Sequence, residues 1–80
     1  MIAKSILVRT VSKYLGKVGE EWLEHQATRL GIDWNKKELD DETAAELAIL
    51  IGTNAVLLIG KNKAVELQSK LEQSIASATS

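Results

Sequence analysis

The stretch Leu47-Ala48-Ile49-Leu50-Ile51-Gly52-Thr53-Asn54-Ala55-Val56-Leu57-Leu58-Ile59 decides how this chain is built. Ten of its 13 positions are Ala, Val, Ile or Leu. A helix apolar on every side must be surrounded, whether by its own chain or by another. From Leu47 to Gly60 such a helix would be about 21 Å long, short of the roughly 30 Å hydrocarbon core of a bilayer. Asn54 in its middle adds a further cost in lipid. No membrane span is expected, and a buried core or interface segment is the better reading. Periodicity leaves two local readings open: a turn at Gly52-Thr53-Asn54, or one helix running through to Ile59. A hairpin of residues 47–51 with 55–59 is the lesser alternative.

Downstream, Gly60 punctuates the run. A last helix is expected over about 61–76, with Ala64, Leu67, Leu71, Ile75 and Ala78 on one narrow stripe. Residues 77–80 should fray. Upstream, Thr43-Ala44-Ala45-Glu46 has the capping-box spacing, and Asp40, Asp41 and Glu42 also favour a helix start there. Residues 33–41 are polar apart from Trp34 and Leu39 and form the one clear connector. Trp34 is expected to fold back, since a large indole gains much by covering apolar surface.

Before the connector, Gly31 suits the left-handed residue just past a helix end, with Ile32 as its apolar contact. That helix starts at 17 or 20 and turns Trp22, Leu23, Gln26, Ala27 and Leu30 inward. Ile2, Ile6, Leu7, Val11, Tyr14, Leu15 and Val18 follow helical spacing and predict a first helix over about 2–15. Lys4, Lys13 and Lys17 take its other side, and Gly16 and Gly19 mark the break after it. The β-branched content around Ile6-Leu7-Val8 also permits a strand within 4–11.

Eighty residues make one domain, 1–80, with a formal net charge of -1 that gives no global pull toward nucleic acid or membrane. Apolar residues are 45% and charged residues 26%, an ordinary globular mix. There is no cysteine and no proline, and the only aromatics are Tyr14, Trp22 and Trp34, so the core is aliphatic. A chain this short buries only about 60–65% of its unfolded surface, which makes a lone copy marginal. Charge is uneven: residues 1–19 sum to +4, 20–46 to -6 and 47–80 to +1. A basic first helix and an acidic centre can pair within one molecule or between two. Arg9 interrupts the first apolar run after three residues, too soon for a secretory signal, and a cytoplasmic location is the expectation. Residues 1–19 also have the composition of an organellar presequence or a membrane-surface helix. The plainer reading is a solvated basic face, with Leu7, Val11 and Leu15 packed inward and Val18, Trp22 and Leu23 continuing that surface.

Chemistry is sparse. The one histidine, His25, has Glu21 one turn back, but two ligands are too few for a metal and a solvated pair is expected. Gly60-Lys61-Asn62 lacks the upstream glycine and the hydroxyl residue of a phosphate-binding loop. Asp33-x-Asn35 opens like a calcium loop, yet Glu38 and Ala44 stand where its glycine and bidentate acid belong. One pattern rises above noise, a degenerate helix-turn-helix over 43–63, with Thr53, Asn54, Lys61 and Lys63 as the nucleic-acid contacts. Its second helix would present Ala55, Val56, Ile59 and Gly60 to bases, which is the wrong chemistry for readout. A ribbon-helix-helix with its strand at 4–10 leaves some 30 residues unused.

The expectation is therefore an all-α fold, a small bundle of four helices (five if the chain turns at 52–54), completed by dimerisation. The function expected is non-enzymatic: a small helical interaction or regulatory protein that self-associates through 47–59. Leu47, Ile49, Leu50, Ile51, Val56, Leu57 and Ile59 are the self-association residues. The alternative is a DNA-binding regulator. No cofactor or metal is expected, and the expected partner is a second copy rather than nucleic acid. On this reading Ile49→Asp or Val56→Asp gives a monomer that is unfolded or nearly so.

Overall fold

Gly60 sets the architecture. Helical hydrogen bonding runs over Asp41–Thr79, but Gly60 sits at φ 83° and ψ 164°, outside the helical region. A straight helix of 39 residues would be about 58 Å long, whereas the longest dimension of the molecule is 29 Å. The helix therefore folds back on itself as two arms, 41–59 and 61–79. The arms approach closely where Gly52 meets Gln68: a Cβ on residue 52 would lie 2.9 Å from the Gln68 Cβ. Positions 52 and 68 are equally far from Gly60, as an antiparallel hairpin of helices requires.

In the computed structural model, residues 1–79 are described. The chain order is β1 (Ile2–Ala3), α1 (Lys4–Leu15), a 3-10 turn (Gly16–Val18), α2 (Gly19–Arg29), β2 (Glu38–Leu39) and α3 (Asp41–Thr79). The fold is all-α apart from the strand pair. Its core joins Leu7 and Val11 of α1, Leu23 and Ala27 of α2, Ala44, Leu47, Ala48, Ile51 and Ala55 of the first arm, and Ala64, Leu67, Leu71 and Ile75 of the second. On both arms the buried positions recur every three or four residues, which confines them to one face of each. Fully burying one Leu or Ile is worth about 1.5–3 kcal/mol.

Several expectations are corrected here. Gly52, Thr53 and Asn54 are helical, so there is neither a turn nor a hairpin at 52–54. The apolar side chains of 47–51 gain more from packing along one continuous face than three residues of turn would return. Residues 4–11 are helix, and the first helix starts at Lys4 because Ile2–Ala3 pairs antiparallel with Glu38–Leu39. That pairing buries Ile2 and Leu39. The connector is thus partly ordered as a strand. Ile6, Val18 and Leu30, assigned inward by spacing, are exposed, and Leu15 is only half-buried. The second arm remains helical to Thr79 rather than fraying at 77, and Ser80 lies outside the described residues.

The helix ends are closed locally. Gly31, at φ 73°, ends α2: its N–H donates to the Thr28 carbonyl and the Ile32 N–H to the Ala27 carbonyl, both at 3.0 Å. This is the doubly bonded glycine stop the sequence suggests. At the start of α3 the cap is Asp40, not Thr43. The Thr43 N–H donates to Asp40 Oδ1 at 3.1 Å, the bond that an aspartate just before the helix makes to the third helical residue. Hydrogen bonds from Thr43 hold the Asp40 carboxyl below its ordinary 3.8. A depressed carboxyl stabilises the fold above its unfolded value, and that support is lost as pH falls through the folded one.

One polar contact crosses the core boundary. Asn54 Nδ2 donates to Gln26 Oε1 at 2.6 Å, tying α2 to the first arm, and Gln26 is the one buried polar residue of the described chain. Asn54→Ala should cost about 1–3 kcal/mol, the cost of leaving a buried carbonyl unpaired. Replacing both partners by Leu should recover most of that loss in urea unfolding. Gly60→Ala should cost about 1–3 kcal/mol in the same assay, since φ 83° with ψ 164° is a region essentially reserved for glycine.

Candidate functional site

The outer side of the first α3 arm carries the most unusual surface of the molecule. Residues 49, 53, 56 and 57 lie together on the helix side opposite the buried face. Ile49 is 55% exposed and Leu57 91% exposed, with Val56 between them. Leu58 near the bend and Val65 on the second arm are exposed as well. The approach of Gly52 to Gln68 sets the register of the arms and brings residue 65 level with 55, one residue from Val56. Val65 therefore extends the same apolar surface across the hairpin.

The structure divides the self-association set read from the sequence. Leu47 and Ile51 are wholly buried inside the chain and cannot meet a partner. Ile59 packs against the core and Leu50 is half-buried. Ile49, Val56 and Leu57 face solvent. Val65 belongs to the surface but was missed, whereas Leu58, half a turn round the helix from Ile49, is exposed on another side beside the bend. Sequence offered a signal for Val65 alone, as an apolar residue lying off the stripe of the last helix.

The nucleic-acid set is not brought together as a reading head. With 52–54 helical, the turn that a helix-turn-helix needs at that point is not formed. The Thr53 hydroxyl donates to the Ile49 carbonyl at 3.0 Å, and Asn54 is held by Gln26. Lys61 and Lys63 lie beyond the bend, where Lys63 pairs with Glu66 at 3.7 Å. Glu21 and His25 are exposed on α2. No group of three His, Cys, Asp or Glu among the described residues is placed to hold a metal.

By length and composition α3 is the one described helix that could cross a membrane. As folded, its apolar run ends at the Gly60 bend, and a third of its most apolar window is buried in the molecule.

Two open grooves flank α1. One, of about 660 Å3, lies between α1 and the second arm and is lined by Thr10, Lys13, Tyr14, Lys70 and Gln73. The other, about 630 Å3, runs from Val8 and Arg9 to Lys37 and Glu38. Beside it Lys4 lies over the Trp34 ring, 4.9 Å from its centre, and donates to the Trp34 carbonyl. Trp34 folds back onto the core, as its composition suggests.

In the first groove Tyr14 has the Glu66 carboxylate for a neighbour. Burial, and then that carboxylate, raise its phenol above the ordinary 10.0. A raised phenol stabilises the fold below its unfolded value, and this support is lost as pH rises through the folded one. Tyr14 is the sole tyrosine, so ultraviolet absorbance reads it alone. Its midpoint should lie above 10.0, and Glu66→Gln should move it down without abolishing the shift. The chain matches no family model, and no curated protein or solved structure is significantly similar to it.

Proposed function

We infer that this chain is a non-enzymatic helical interaction protein, regulatory in character, that self-associates through the outer side of the first α3 arm. One observation carries the reading. Ile49, Val56, Leu57 and Val65 stay exposed although the core beneath them is closed. Contiguous apolar surface of this kind marks association sites. A second copy presents the same surface, so a two-fold interface needs no other gene product. On this reading the α1, α2 and two α3 segments form a four-helix bundle whose outer seam the partner covers.

The closed core alters what loss of the interface should do. Leu47, Ile51, Leu67 and Leu71 are buried without a partner. An interface variant should therefore be a folded monomer rather than the unfolded one expected from sequence. Light scattering at ~100 μM should give a dimer mass for the wild type, a concentration that suits even a micromolar interface. Ile49→Asp combined with Val56→Asp should give a monomer mass with unchanged helical circular dichroism. A wild type that stays monomeric at that concentration rules this reading out.

A further inference from the structure

The exposed seam has a direction written into it. Along the first arm the outward positions run Glu42, Glu46, Ile49, Thr53, Val56 and Leu57, all exposed, alternating three and four residues apart until the last. This is the spacing with which one helix meets another along a seam. Acids occupy its first end, apolar side chains its middle, and Lys61 sits at the bend that closes the other.

Charge decides between the two ways of pairing it with a copy of itself. A parallel pair would set Glu42 and Glu46 against the same acids, and Lys61 against Lys61. An antiparallel pair sets Glu46 against Lys61 at both ends. We propose that two copies pack antiparallel along this seam, with the two-fold axis at Thr53, Ile49 against Leu57 of the partner copy, and Glu46 facing Lys61. This proposal rests on the self-association reading and adds its orientation, its register and its sensitivity to salt.

Two features fit Thr53 on the axis. It is the middle of the apolar stretch, four positions from both Ile49 and Leu57. Its hydroxyl already donates to the Ile49 carbonyl at 3.0 Å, so covering it strands no donor. A standard interface takes about 800 Å2 from each partner. That is roughly a sixth of the 4990 Å2 surface, so the proposed interface takes in Val65 of the second arm as well.

The chain has no cysteine, so introduced thiols report the geometry cleanly. Equilibrium sedimentation of the wild type at ~100 μM first establishes whether a dimer exists. In the dimer, Thr53→Cys should link to itself through a short bismaleimide. Glu46→Cys should not link to itself but should link to Lys61→Cys when the two variants are mixed. Glu46→Lys should weaken the dimer by about threefold or more, and adding Lys61→Glu should restore it at low salt only. Self-linkage at both Glu46→Cys and Thr53→Cys in a stable dimer means a parallel pair and overturns the proposal, while self-association stands. A dimer with no Thr53→Cys linkage overturns the register. A monomeric wild type that sediments with vesicles of phosphatidylserine and phosphatidylcholine overturns both readings, since the seam then serves a lipid surface.

Discussion

Gly60 and the contact it permits between the two α3 arms are what the remaining packing depends on. The bend turns a 39-residue helix into two facing apolar stripes, and Gly52 lets Gln68 lie flat where a side chain would hold the arms apart. Once Ala44, Leu47, Ala48, Ile51 and Ala55 face Ala64, Leu67, Leu71 and Ile75, they leave a groove along one side. Leu7, Val11, Leu23 and Ala27 close it. Alanines recur along the first buried stripe and Ala64 opens the second, and small side chains let helix axes approach. Aromatic bulk is not needed there, which is how a chain with three aromatic residues closes a core. The same close approach appears between α1 and α2, where a Cβ on Gly19 would lie 2.9 Å from the Ser12 Cα.

Short elements hold the other end. Ile2 and Leu39 pair across the strand ladder, and the Lys4 N–H donates to the Lys37 carbonyl at 2.8 Å. Lys4 also spans the Trp34 backbone and ring with its side chain. These contacts fasten the start of α1 to the connector that leads into α3. A connector of mostly polar residues has little burial of its own to order it. Its order comes from Leu39, Trp34 and Ile32, the apolar residues that reach the core.

What was legible in the sequence follows from which forces are local. The Gly31 stop, the Gly60 break and the inward stripe of the last helix depend on residues within a turn or two of each other. Each could be read from spacing. The strand pair could not, because two residues carry no period and its formation depends on partners 35 or more positions apart. The cap could not be assigned from sequence because Asp40, Asp41 and Thr43 all favour the position, and only three-dimensional fit selects among them. The candidate site was half legible. A helix apolar all round announces that it must be covered but hides which face is covered by its own chain. The answer lay in the packing: the first arm turns Ala44, Leu47, Ala48, Ile51 and Ala55 to the core of its own chain, which leaves Ile49 and Leu57 outside.

That division separates folding from association. If Leu47 and Ile51 lay at an interface, the chain would lose its core whenever it lost its partner, and stability would be inseparable from concentration. With those residues buried internally, the outer seam adds to a fold already closed without it. Covering that seam then shifts an equilibrium between two folded species. Such an equilibrium responds to concentration through mass action and to salt through whatever charges flank the seam. An apolar helix face that folding does not consume is free to serve as a reversible contact, which is the physical basis for reading this molecule as an interaction protein rather than as an obligate assembly.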